Sequence, residues 1–407
     1  MADRALPLAG LRVLDCSRVL AGPFATMLLA DLGADVVKLE PPGGDESRGW
    51  GPPFWGDPAD RLSAYFASVN RNKRSIVVDL QTDGGRDLLD RLAARSDLLM
   101  HNARPSSAER LGFGADRLAK RHPGLVVAVV GGFATAGEAA ERPAYDLLAQ
   151  AVTGLMAVTG EPTGGPMKAG VALLDLLAGL EVAVGALASL LAAKRLGRRL
   201  GQGSGMDTPQ GSRVDVALVD AGVAGLTNVL ANLVASGEEP RRHGNAHPNI
   251  VPYEVFSTAD GHVAIAVGND QQFARLLTAL SLDPDPRFAA NAGRVAHRDE
   301  LIPMIAASIE SRGRDELVAA LLDADVPAGP VNSVSEALAM MQAVDGDAWL
   351  QEAGVTRLAP SPIRIHGERL PVRLAPPRLG EHTDQVLTEA GLEAAEIAAL
   401  RASGAVT

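Results

Sequence analysis

The 407-residue chain is 47% hydrophobic and 21% charged, with a net charge of −11 and a pI near 5.3. That balance can bury large apolar areas, and because single cores stop growing at roughly 250 to 300 residues it predicts two domains. The acidic balance excludes partners read through a basic phosphate-binding face, so no nucleic acid is expected and an anionic ligand must meet locally placed Arg or Lys.

In chain order, the opening Met1-Ala2-Asp3-Arg4 lacks the basic, apolar and small-residue run of a secretory signal, so a cytoplasmic protein is expected. The first third alternates short apolar runs with amphipathic stretches, which is the sequence form of a parallel sheet with crossover helices. Strands are predicted at 11–15, 35–39, 75–80, 98–101 and 125–130, and helices at 22–32, 84–94 and 107–119. The fold class is α/β, with a Rossmann-like doubly wound large domain. Cys16, the single cysteine, leaves no disulfide and no Cys cluster for zinc; beside Val13 and Leu14 it reads as a buried, inert thiol. After the first strand comes Ser17-Arg18-Val19-Leu20-Ala21-Gly22-Pro23 rather than G-x-G-x-x-G, which disfavours a nicotinamide enzyme.

Residues 176–195 read as a long helix closed by basic residues and Gly197. The apolar stretch 171–193 carries Asp175 and Glu181, so no clean membrane span of about 20 residues is expected, and no membrane partner. Residues 199–213 are Gly/Ser-rich and polar, a loop or linker by composition, before a strand at 214–218 and a small-residue helix. The expected organisation is a large Rossmann-like domain over 1–198, a linker over 199–225, a smaller α+β domain over 226–326 and a C-terminal return to the large domain over 327–407. Within the smaller domain a strand is predicted at 263–267 and helices at 271–280 and 301–311; terminal helices follow at 383–389 and 394–401.

Asp175 is the most informative side chain. It precedes Leu176-Leu177-Ala178-Gly179-Leu180, so its simplest role is a helix N-cap whose carboxylate accepts backbone N–H groups. The same position suits a nucleophile, because free N–H groups and the positive end of the helix dipole favour the ionised form. Tyr145-Asp146 with Gln150 upstream, the turn Thr159-Gly160-Glu161-Pro162 and Gly170 leave room for a ligand near the backbone. His101, His247 and His382 lie on unrelated segments without ligand spacing, so no metal is expected.

Blocks spread over nearly the whole chain carry a resemblance. They are LAGLRVLDCSRVLAGPFATMLLADLGADVVKLEPPGGDESRGWGPPF, SVNRNKRSIVVDL, HNARPSSAERLGFG, RPAYDLLAQAVTGLMAVTG, GVALLDLLAGL, GNAHPNIVPYEVFSTADG and LGEHTDQVL. In this order they resemble the class III CoA-transferases, the family of formyl-CoA and succinyl-CoA:dicarboxylate CoA-transferases that also contains the 2-methylacyl-CoA racemases. The resemblance implies a catalytic aspartate at Asp175, with Tyr145 beside it. It implies CoA contacts at Val19, Leu20 and Ala21, at Val78, Asp79, Leu80 and Gln81 near the adenine, and at Asn102, Ala103, Arg104 and Arg110 nearer the phosphates. An interlocked homodimer, acyl-CoA and small carboxylic acids as substrates, and no permanently bound cofactor are implied with them. The chain departs from the family at Pro41, where some members carry arginine, at Ser106, where glycine is common, and in a longer loop over 201–212.

The implied chemistry is attack of the Asp175 carboxylate on a thioester carbonyl, giving a mixed anhydride and then an enzyme-bound CoA thioester. A reference aspartate titrates near ~3.9, so the carboxylate is expected to be present at neutral pH unless burial is severe. Donors for the tetrahedral oxyanion are implied in the Gly244-Asn245-Ala246 turn. Similarity of GDESRGWGPPF, HGNAHPNIVPYEVF and VGNDQQFARL to the succinyl-CoA:dicarboxylate branch implies a succinyl-CoA donor and a small diacid acceptor. Arg48, Arg241, Arg242 and His243 are the cations available for the second carboxylate. Two alternatives remain: a racemase, which needs paired acid/base groups where Tyr145 replaces the histidine of that branch, and a non-catalytic CoA-binding protein in which Asp175 is only a cap.

Overall fold

The computed structural model describes residues 5–200 and 212–407. The chain forms two compact units, one of Met1–Leu155, Ala169–Ala231 and Ala348–Thr407, the other of Met156–Lys168 and Asn232–Asp347.

The first unit is built on six strands: β1 (Arg12–Asp15), β2 (Asp35–Glu40), β3 (Lys73–Val77), β4 (Leu98–His101), β5 (Val126–Gly131) and β6 (Arg213–Ala217). All neighbouring pairs are parallel, and the spatial order is β3-β2-β1-β4-β5-β6. Its central strands β4 and β5 carry apolar runs that face both ways, as buried parallel sheets require. Along β5, Val126, Ala128 and Val130 face a core shared with helices α1 (Ala21–Asp31) and, after it, a long helix over Leu173–Leu200; Val127 and Val129 face the opposite core. That second core takes Leu88, Leu89 and Leu92 of α2 (Asp83–Ala93), Ala108 of α3 (Pro105–Leu111) and Leu118 of α4 (Ala115–Arg121). The chain continues through α5 (Asp146–Val152), the long helix α6 (Leu173–Leu200) and α7 (Leu218–Gly225).

Three expectations need correction here. The third strand is Lys73–Val77 rather than 75–80, because the buried Lys73 ammonium pairs with Asp15 and the chain leaves the sheet at Val78, which bridges to Val406. Residues 213–225 are no linker: Val214 and Val216 pack into the core, so β6 closes the sheet beside β5 and α7 follows directly. Leu173–Ala193, at mean hydropathy 2.0, is long and apolar enough to cross a membrane, yet Leu174, Ala178, Val182, Ala186 and Leu190 pack in the core of this unit. Helices α1 and α6 approach so closely that a Cβ at Gly179 would stand 2.7 Å from the Ala21 carbonyl oxygen. The loop over 201–212, apart from Ser212, lies outside the described residues.

The second unit carries an antiparallel sheet of β7 (Tyr253–Ser257), β8 (His262–Ala266) and β9 (Ala328–Pro330), in the order β9-β8-β7. Helices α8 (Asp270–Leu280), α9 (Arg298–Ile309) and α10 (Arg314–Asp323) bury Leu276, Leu277, Ile305, Ile309, Leu317 and Leu321 against Phe256, Val263 and Ile265. This unit runs on to Asp347 instead of ending at Val326. From Ala348 the chain rejoins the first unit, where Val386 and Leu387 of α11 (Thr383–Glu389) and Ile397 of α12 (Ala394–Ala402) enter the core.

Candidate active site

Every strand of the parallel sheet ends on one cavity of about 720 Å³, a size suited to a small-molecule or cofactor ligand. Its walls include Arg18 after β1, Pro41 after β2, Asp79 after β3, Asn102 after β4, Gly132 after β5 and Leu218 after β6. Ligands of open α/β sheets bind in such a crevice, where neighbouring connections diverge to opposite faces, here between β1 and β4. The residues that the resemblance assigns to the catalytic aspartate, its neighbouring tyrosine and CoA border this cavity: Val19, Leu20, Ala21, Val78, Asp79, Leu80, Gln81, Asn102, Ala103, Arg104, Arg110, Tyr145 and Asp175.

Asp175 is not the helix cap. Helix α6 begins at Leu173, which puts Asp175 inside its first turn. The cap is supplied by buried Asp146, whose Oδ1 accepts the Leu174 N–H at 2.8 Å and the Asp175 N–H at 3.4 Å. Gln150, one turn along α5, holds that carboxylate from Nε2 at 2.5 Å and accepts the Ala169 N–H at 2.8 Å. The Asp175 carboxylate is thereby left half-buried, and it accepts no hydrogen bond among the described residues. Burial, with the charge of Asp146 beside it, raises its pKa from 3.8 to about 7. Acid and carboxylate forms therefore coexist near neutrality, burial being the condition under which full ionisation is lost.

Tyr145 stands exposed at the N-cap of α5 on the same cavity. Tyr65, which no motif singled out, lies in the field of Asp175: burial and the charges of Asp175, Asp146 and Asp45 raise its phenol to about 12. It packs edge-on against Trp50 at 4.9 Å between ring centres.

The loop between β1 and α1 rests on a buried ionic network. Lys38 Nζ pairs with Asp45 at 2.9 Å and donates to the Ser17 carbonyl at 2.8 Å. Asp45 in turn accepts the Val19 N–H, at 3.2 Å from Oδ2, and Val19 sits at φ +71°. Lys73 pairs with Asp15 at 3.0 Å. Burial opposes ionisation of Asp15, but Lys73, Lys38 and the hydroxyls of Ser17 and Thr26 prevail and hold it at about 2. At the other side of the cavity the C-terminal segment fixes the loop after β3, the Asp79 N–H donating to the Ala405 carbonyl at 2.9 Å.

Pro41 borders the cavity without charge, while Arg18, Arg110 and Arg142 border it and form no ion pair among the described residues. Arg104 reaches the Glu141 carbonyl at 3.4 Å. His101 is 3% exposed at the end of β4; burial, then the charge of Arg213, lowers it to about 4 against an opposing backbone interaction at Ala103. Cys16 is buried, and burial pushes its thiol up, beyond ordinary reactivity.

Of the cations set aside for a second carboxylate, Arg48 is engaged with Glu40 at 2.6 Å and the Pro377 carbonyl at 3.0 Å, and lies over the Phe66 ring. Arg242 donates to the carbonyls of Ala157, Glu161 and Gly164 within the second unit. Arg241 and His243 belong to that unit as well, as does the Gly244-Asn245-Ala246 turn, in which Gly244 adopts φ +60°. Among the described residues no group of three His, Cys, Asp or Glu is arranged to hold a metal ion.

A family model for CoA-transferase family III matches residues 8–383. The chain belongs to this family. This transferase is 40% identical over 399 residues to the succinate–glutarate CoA-transferase of Agrobacterium fabrum, a match covering 96% of this chain and 97% of that one. It is 36% identical to the succinyl-CoA:mesaconate CoA-transferase of Haloarcula hispanica over 94% of this chain and 96% of that one. A crystal structure of a CaiB/BaiF family protein from Brucella suis superposes with a TM-score of 0.82 at 37% identity, covering 95% of this chain and 100% of that one. As a CoA-transferase the protein takes CoA thioesters and carboxylic acids as substrates, so CoA enters as a substrate and not as a resident cofactor.

Arg18, Tyr65, His101, Arg142 and Asp146 are the site residues that motif reading passed over or left without a role. Asp146 stands in RPAYDLLAQ and carried a signal, an acid opening a predicted apolar run. Arg18 and Arg142 carried none, because an isolated arginine near a strand end reads as a solvated surface residue.

Proposed function

We propose that this transferase carries CoA from succinyl-CoA to a small dicarboxylic acid through an aspartyl-CoA thioester on Asp175. One observation carries the reading: a carboxylate with a raised pKa, free of hydrogen-bond partners among the described residues, borders a cavity also bordered by Arg18, Arg110 and Arg142. Those cations complement the phosphates of CoA. Partial burial has already removed much of the water that attack would otherwise displace.

In the first step an Asp175 oxygen attacks the thioester carbonyl and the C–S bond breaks, leaving a mixed anhydride and CoA thiolate. The thiolate then attacks the aspartyl carbonyl, the donor acid departs as carboxylate, and CoA is held as the enzyme thioester. An acceptor carboxylate repeats these steps in reverse order. Each tetrahedral oxyanion needs nearby donors. Tyr145, on the same cavity as Asp175, is the side chain we assign to the reacting end. Val19–Ala21, Val78–Gln81 and Asn102–Arg104 with Arg110 form the CoA subsite in this reading. The diacid preference draws on the relatives named for glutarate and mesaconate.

The same reading takes the first unit as Rossmann-like and doubly wound, which its strand order and two covered faces support. It takes the enzyme as a cytoplasmic homodimer with neither nucleic-acid nor membrane partner. Exposed Leu147, Leu148 and Val152 on α5 and Leu180, Val184 and Leu191 on α6 offer the apolar area that a second copy would cover. The decisive experiment is intact-mass spectrometry after incubation with succinyl-CoA without acceptor. A CoA-sized adduct, released by glutarate and lacking in Asp175→Ala, is expected; no adduct under any donor leaves a CoA-binding protein without covalent chemistry.

A further inference from the structure

Asn102, expected to touch CoA, turns its amide on the neighbouring loop. Oδ1 accepts the Arg18 N–H at 2.9 Å, and Nδ2 donates to the Arg18 carbonyl at 2.7 Å. This two-point clasp ties the connection after β4 to the connection after β1, across the crevice where the sheet's ligands bind. It fixes the peptide groups on both sides of one residue. The adjoining groups are fixed as well, the Ser17 carbonyl by Lys38 and the Val19 N–H by Asp45. The Arg18 guanidinium is the exception: exposed on the cavity wall, it forms no hydrogen bond or ion pair among the described residues. A backbone held by three neighbouring side chains therefore carries a cation that no described residue neutralises.

We infer that Arg18 binds a phosphate group of the incoming acyl-CoA and that Asn102 is the positioning residue that aims it. The inference rests on the functional reading above. A guanidinium fork matches two oxygens of one phosphate, and a fixed backbone leaves only side-chain freedom to lose on binding.

The test compares kcat and KM for succinyl-CoA, its dephospho analogue and succinyl-pantetheine in wild type, Arg18→Ala, Asn102→Ala and the double variant. Loss of one charge-assisted contact predicts a KM for succinyl-CoA raised roughly tenfold in Arg18→Ala, with kcat changed far less. With succinyl-pantetheine, which has no phosphate, wild type and Arg18→Ala should match. An effect already gone with the dephospho analogue assigns the contact to the 3′-phosphate; one that persists there assigns it to the diphosphate. Asn102→Ala should reproduce the same KM pattern, and the double variant should be no worse than the worse single, since both act on one contact. An equal loss with the pantetheine thioester, or additive losses in the double variant, overturns the assignment. Because Arg18 is exposed, its variant decides the phosphate contact even where Asn102→Ala loses stability. Calorimetric titration with CoA separates the two levels: wild type that binds no CoA removes the functional reading and this inference together, whereas normal binding by both wild type and Arg18→Ala removes the inference alone.

Discussion

Asp175→Asn keeps the shape of the side chain and removes its charge, so it separates what the carboxylate does for the fold from what it does for the reaction. Burial and Asp146 raise Asp175 from 3.8 to about 7 in the folded chain. A folded-state pKa above the unfolded value means that folding disfavours the ionised form. The cost is absent below about pH 4, grows as pH rises and is complete above about pH 7. About three units at 1.36 kcal/mol each set a ceiling of about 4 kcal/mol. Residual hydration of a half-buried group reduces this to about 1 to 2 kcal/mol. The variant should therefore melt about 1 to 3 °C above wild type at pH 8, with the gap closing toward pH 4. Turnover should fall about a thousandfold or more, because no positioning effect replaces a missing attacking oxygen. Scanning calorimetry across pH and a steady-state transfer assay read the two effects separately. A variant less stable than wild type at pH 8 refutes the electrostatic reasoning, and near wild-type turnover refutes the nucleophile.

Three other outcomes follow from the same geometry. Donor kcat/KM should rise with pH through about 7, and Asp146→Asn, which keeps an acceptor for the Leu174 N–H but loses the charge, should move that midpoint down; an unmoved midpoint excludes Asp146 as a cause of the raised pKa. Lys38→Met strands Asp45 as a buried charge without its lysine and should cost about 3 to 5 kcal/mol in chemical denaturation, so a loss below about 1 kcal/mol would remove the ionic network as a support of the Val19 loop. With succinyl-CoA as donor, glutarate, malate, itaconate and adipate should exceed butyrate and valerate at least about tenfold in kcat/KM, since a site built to pair a second carboxylate leaves it unmatched by a monoacid; equal efficiency for butyrate or valerate leaves the transferase without a diacid pocket.

Much of this protein was legible before any coordinates. Apolar runs such as Leu98-Leu99-Met100 and Val126-Val127-Ala128-Val129-Val130 can be buried on both faces only in a covered parallel sheet, so the alternation with amphipathic stretches predicted the α/β class. The residues that the resemblance assigns to CoA follow strand ends, and strand ends converge on one crevice. What went unread depends on partners far apart in the chain. Lys38, Lys73 and Glu40 look like solvent-facing charges until Asp45, Asp15 and Arg48 are brought against them. Asp175 looks like a cap because nothing local says that Asp146, 29 positions earlier, will take its backbone N–H. Likewise nothing local to Asn102 says that its amide will clasp the backbone of Arg18, 84 positions away. Local pattern follows from the backbone periods of helix and strand, which the sequence carries by itself. Burial, charge pairing and the pKa of Asp175 depend on which distant side chains share a low-dielectric space, and only the tertiary structure decides that.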